Sequence, residues 1–256
     1  MNIHKKILAP LLIVLNILTI FSAQSFELSE YNHYSAAVLP TFTRRNIKWA
    51  ILSREGYGKS KYLYDSFSGG KDKGETHPVQ TAAHEFLQEA ILEPILGWDL
   101  ETAENFIDPN KENTWMVLAY SKDKNPYNAQ SRDIRNVLYI VNFNKYKTKL
   151  FNNFYYAREQ ELIRYERERT PSKYRTNTEK DRIAKVRWSE LECAICDQQN
   201  SYDPVTVSAY VLNPDTEQFD KETITLRPIL VKTLRAFFTG QPYEEGDNEK
   251  IRHYYE

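Results

Sequence analysis

Only two cysteines, two methionines and eight glycines occur in this chain of 256 residues. Two cysteines exclude a disulfide framework, and with no second C-x-x-C a cysteine-built zinc site lacks its four ligands. Neither sign of charge is in excess: 34 Lys and Arg stand against 35 Asp and Glu, a formal net charge of −1. Nothing in that balance carries the basic footprint of a nucleic-acid partner. Beyond residue 25 no apolar run reaches the roughly 20 residues that cross a bilayer. No H-E-x-x-H helix or G-x-S-x-G elbow occurs, and Gly58-Lys59-Ser60 lacks the earlier glycine of a P-loop. Aromatics, in contrast, are plentiful. The 18 tyrosines and 12 phenylalanines argue for a packed globule rather than a disordered chain.

The first segment reads as an address rather than as structure. Lys5 and Lys6 precede an apolar run over residues 7–21, interrupted only by Pro10, Asn16 and Thr19. Ala23-Gln24-Ser25 then places small residues where a signal peptidase cuts. Residues 1–25 are therefore predicted to be a secretory signal peptide, and the protein to be exported, periplasmic or secreted. The run is short for an uncleaved anchor, so no stable membrane span is expected after cleavage. Residues 26–240 are expected to form one domain with a charged helical insertion near 147–181, and 241–256 a polar tail.

Strand patterns occupy residues 33–42 and 47–54, joined by a polar turn, with a third strand at 62–67. A glycine-rich loop follows at 68–75. A helix is predicted over 78–93, with Thr76 as N-cap, Pro78 in its first turn and Pro94 as its stop. Further strands are expected at 114–121, 136–143 and 183–188, and a hairpin at 205–212 and 222–225. A long helix at 147–169 has a charged, solvated second half, a surface loop spans 170–181, and a last helix covers 226–238. Strands and helices mix without strict alternation, which favours an α/β fold with a mixed β-sheet flanked by helices. Cys193 and Cys196 follow a Ser-Glu-Leu-Glu turn. In an oxidising compartment a local disulfide, a redox couple and inert thiols all remain open for them.

The chemistry-bearing segment runs from Gly69 to Glu89. On a helix Glu85 and Glu89 share one face, with Val79, Ala82, Ala83, Phe86 and Ala90 opposite. Carboxylates beside a glycine loop make a hard, oxygen-rich site suited to magnesium or manganese. The spacing resembles the Nudix box, Gly-x5-Glu-x7-Arg-Glu-U-x-Glu-Glu-x-Gly-U, where U is aliphatic. Gly69 and Glu75 reproduce its first interval, Glu85 falls on the glutamate after the arginine, and Glu89 on the last glutamate. His84 stands at the arginine, Gln88 at the first glutamate of the pair and Ile91 at the later glycine, and one extra residue separates Glu75 from His84.

The resemblance implies a Nudix-like α/β/α sandwich and cleavage of a diphosphate linked to another moiety. It implies Mg2+ or Mn2+ held by Glu85, Glu89 and the Gly70 carbonyl. Glu85, Glu75 and His84 are the catalytic candidates, Glu85 to hold metal or act as base and Glu75 with His84 to position the loop on the helix, in a pairing weakened by the histidine. Glu159, Glu161 and Glu190 are candidates for a further carboxylate. A phosphorylated small molecule is the expected substrate. The altered positions also support a second expectation, a binding protein that keeps the scaffold, takes a protein partner and has lost catalysis.

Overall fold

A computed structural model describes residues 33–109, 114–120, 134–171, 178–197, 204–239 and 251–254, so the expected signal peptide lies outside the described residues. Strands β1 (His33–Arg44) and β2 (Ile47–Glu55) form a hairpin. Its two turn residues, Arg45 and Asn46, have φ of 50° and 61°, the paired left-handed conformation that matches strand twist. The third expected strand is two short ones, β3 (Tyr64–Asp65) and β4 (Phe67–Gly70). The break has a local cause: the Ser66 N–H donates to Asp65 Oδ1 at 2.7 Å, so the side chain competes with the sheet for the backbone.

Helix α1 (Pro78–Glu89) starts one residue later than a Thr76 cap implies, at N-cap His77. The Thr76 hydroxyl is instead spent on Gln80 Oε1 at 3.2 Å, which also accepts from the His77 N–H at 3.3 Å. The helix ends before the expected stop because Ile91 adopts φ 55°. Pro94 falls inside the short following helix α2 (Leu92–Leu96), in the first turn where a missing N–H costs little. Then come α3 (Leu100–Ile107), β5 (Thr114–Tyr120), β6 (Ile134–Asn142) and α4 (Lys147–Arg167). The chain continues through β7 (Lys180–Arg187), α5 (Trp188–Cys196), β8 (Thr206–Leu212), β9 (Phe219–Thr225), α6 (Pro228–Thr239) and β10 (Ile251–Tyr254).

Three expectations change here. Lys180 and Asp181 belong to a strand, not to a surface loop. The Ser-Glu-Leu-Glu segment is the first turn of α5, and both cysteines ride on that helix as free thiols, with Cys193 Sγ donating to Asp197 Oδ2 at 2.8 Å. Residues 251–254 of the expected tail pair antiparallel with β5.

The strands join one mixed sheet in the order β10-β5-β6-β1-β2-β7-β8-β9, with β3 on β2 and β4 on β1. Strand β1 is its hub, pairing parallel with β6 and antiparallel with β2 and β4. Alternation along the strands sends Ala37, Leu39, Ala50, Leu52, Ala184 and Val186 into a core closed by Leu191 and Ile195 of α5 and Leu230 and Leu234 of α6. Helix α1 packs on β1 and β4, seating Phe86 against Phe67 and Phe143 with ring centroids at 5.2 and 5.6 Å. Helix α4 buries Leu150, Phe154, Ala157 and Tyr165. Among the described residues no helix is long and apolar enough to cross a membrane.

Candidate functional site

Strand β4 runs into the glycine loop, and α1 leads back beneath it. A Cβ on Gly69 would lie 1.9 Å from Glu85 Oε1, so a glycine is what lets the Glu85 carboxyl rest against the backbone. The loop is braced to the helix through Glu75. Its Oε2 accepts from the Thr81 hydroxyl at 2.6 Å and the Asp72 N–H at 2.9 Å, and its Oε1 lies 3.1 Å from His84 Nδ1. Gln88 Nε2 meets the other histidine nitrogen. Burial raises the Glu75 carboxyl, but the Thr81 hydroxyl, the Asp72 N–H and His84 outweigh it and hold Glu75 below the usual value. The contact expected from Glu75 and His84 is therefore made despite the loss of the arginine.

Glu89 is not on an open face. It is 2% exposed, and its Oε2 accepts from the Ser68 N–H at 2.6 Å. Its Oε1 is 3.0 Å from Nζ of Lys180, whose side chain is wholly buried. The same ammonium lies 2.5 Å from Glu55 Oε1. Arg227 Nη1 reaches Asp65 Oδ2 at 2.9 Å and Glu55 Oε1 at 3.3 Å. Burial alone would draw the ammonium towards neutrality. Glu89, Glu55 and Asp65 more than offset this and raise Lys180 above the ordinary lysine value.

The carboxyl of Glu85, on α1 against the loop, is also shifted. It is pushed up to about 7, first by burial, then by Glu179, with Lys180 opposing. Between about pH 4.5 and 7 the folded state thus binds more protons at Glu85 than the unfolded one, so this residue lowers stability as pH rises. Glu85→Gln is expected to flatten that slope and to add about 1–2 kcal/mol of stability at pH 8 after solvent screening. Urea unfolding at pH 5 and pH 8 reads it, and an equal loss at both values would contradict the assignment.

A divalent ion between Glu85, Glu89 and Gly70 does not fit this donor set. One Glu89 oxygen is taken by a buried ammonium and the other by a backbone N–H, and Gly70 is held in the ladder opposite Ser35. Among the described residues, Asp72, Glu75 and His84 offer ligand atoms within 4.8 Å of one another, at the more exposed end of the loop. Of the further carboxylates, Glu161 pairs with Arg164 and Glu190 with Arg187. Glu55 and Glu179 are the ones that act on the helix pair.

Sequence reasoning missed Glu55, Lys180, Glu179 and Arg227. Each comes from a strand, a strand end or a helix start far along the chain, and no local spacing marks it.

No family model matches the chain, and no curated protein matches it. Solved structures similar to it are Nudix proteins. A MutT/nudix family protein from Enterococcus faecalis shares 9% identity over 91% of this chain and 76% of its own, with a TM-score of 0.35. The NUDIX domain of Shewanella oneidensis NrtR complexed with ADP ribose shares 10% identity over 61% of this chain and 98% of that chain, with a TM-score of 0.29. NrtR complexed with a 27mer DNA shares 9% identity over 42% of this chain, at a TM-score of 0.27, and this chain spans only 40% of its length. The fold stands on its own strand order.

Proposed function

We propose that the protein binds a phosphorylated small molecule on its Nudix-like scaffold without metal-dependent turnover. One observation carries the reading. A cavity of about 300 Å³ beside the glycine loop is lined by Ser35, Asp65, Ser68, Gly69, Gly70, Asn136, Arg227 and the first turns of α6. The Arg227 guanidinium, which also pairs with Asp65 and Glu55 through Nη1, and the positive dipole end of α6 supply the attraction an anionic oxygen needs.

Calorimetry with pyrophosphate, ADP and ADP-ribose tests this. Binding of at least one is expected, weakened at least about tenfold in Arg227→Gln, since a hydrogen bond to a charged group contributes about 1.5–3 kcal/mol. Folded wild-type protein that binds none of the three removes the proposal.

A second reading, hydrolysis of a diphosphate, is favoured by Glu85. Its carboxyl rests against Gly69 on the α1 side of the glycine loop, and burial pushes it up to about 7, the range a general base requires. Glu75 and His84 would then position the loop. Phosphate release that disappears in folded Glu85→Gln supports hydrolysis, and its absence in the wild type leaves binding alone. Export belongs to the proposal too, and N-terminal sequencing of the exported chain should begin at Phe26.

A further inference from the structure

The acidic residues under the glycine loop come from three separate elements. Glu55 ends β2, Asp65 lies in β3, and Glu85 and Glu89 share one side of α1. Glu89 is 2% exposed, Asp65 1%, and Lys180 1%. Carboxylates at such depth are tolerated only with compensating positive charge. Arg227 answers Asp65 and reaches Glu55 at longer range. What answers Glu89 is Lys180, a compact point charge delivered by the first residue of β7.

Two carboxylate oxygens from different elements flank the ammonium, at 2.5 Å from Glu55 and 3.0 Å from Glu89. Calcium takes such oxygens at about 2.3–2.6 Å and magnesium at about 2.0–2.1 Å, so the gap is close to the size a divalent ion fills. Glu85 stands one helical turn from Glu89, on the loop side. We infer that the Lys180 ammonium stands in the place of a divalent cation between Glu55 and Glu89, closing to metal a site that the surrounding carboxylates would otherwise form. An ordinary buried ion pair makes a different forecast. On loss of the lysine its carboxylates take up protons and acquire no affinity for metal. The inference does not depend on what the cavity beside Arg227 holds.

Mn2+ titration followed by electron paramagnetic resonance separates the two. All proteins carry Asp72→Asn, which silences the group formed by exposed Asp72 with half-buried Glu75 and His84. With Lys180 present, the free Mn2+ signal should match buffer. In Lys180→Met one equivalent of Mn2+ should be withdrawn, at least about tenfold more tightly than by the parent, because ligand charge sets affinity. Mn2+ should also raise the melting temperature of Lys180→Met and not of Lys180→Arg. Adding Glu89→Gln to Lys180→Met should abolish the gain. Folded Lys180→Met that withdraws no Mn2+ overturns the inference. So does Mn2+ binding by the parent that is lost in Glu89→Gln. Should Lys180→Met fold poorly, recovery of its native circular dichroism by Mn2+ is the expected result, and failure to recover counts against the inference.

Discussion

Replacing Lys180 by methionine is expected to lower the unfolding free energy by about 3–5 kcal/mol at neutral pH, the usual cost of breaking one half of a buried ion pair. Methionine keeps the unbranched stem of the lysine side chain and lacks only its terminal ammonium, so the loss reports mainly the charge. Glu55 and Glu89 would be left facing each other without their shared cation. The pH dependence follows from the direction of the lysine shift. A lysine held above its ordinary value in the folded state stabilises fully below that ordinary value, and the contribution fades as pH rises through the folded one. The difference between wild type and variant should therefore be the same at pH 7.5 and pH 9 and shrink only in stronger alkali. Denaturant unfolding at those two values checks it. A difference under about 1 kcal/mol, the size of an exposed pair, would mean that the ammonium is not the charge that holds the two carboxylates.

Phe86→Ala is expected to cost about 3–5 kcal/mol, as truncation of a fully buried phenylalanine does. Phe86 is 0% exposed and packs, tilted and edge-on, between Phe67, on the strand entering the glycine loop, and Phe143, just after β6. It is the neighbour of Glu85 in sequence, so the same truncation should also loosen the seat of that carboxyl over Gly69. Phe86→Leu should recover most of the stability because it keeps much of the volume. Thermal unfolding of the two variants, compared with wild type, gives the ranking, and an alanine variant as stable as the leucine one would contradict the packing described.

The loop and helix of the site were legible because their signal is local. Gly69, Glu75, Glu85 and Glu89 lie within one short stretch whose spacing alone places them together, and the structure does so. The strand hairpin at 33–54 and the long helix at 147–167 were legible for the same reason, through period and turn residues. What partners the carboxylates was not. Lys180 and Glu55 are 125 positions apart, and a single lysine after a polar stretch reads as surface. Ile91 misled differently. Isoleucine is among the residues least suited to φ above zero, so nothing local marks a helix break there. Its backbone nonetheless adopts the left-handed conformation a glycine would take without cost, while its side chain is buried at 1% exposure. The cysteines read as following a turn because α5 begins without a side-chain cap.

The parallel seam between β1 and β6 has a kinetic consequence. Ser35 and Asn136, which face each other across it and share a hydrogen bond of 3.0 Å, are 101 positions apart in the chain. Loop closure over such a separation must precede any reward from the pairing, which places this topology among slow folders. Strand β4 hangs from the same strand, so the cradle for Glu85 hangs on a hub completed only when residues 134–142 arrive. A nascent chain shorter than that would present β1 with one edge unpaired, a template for association with other chains.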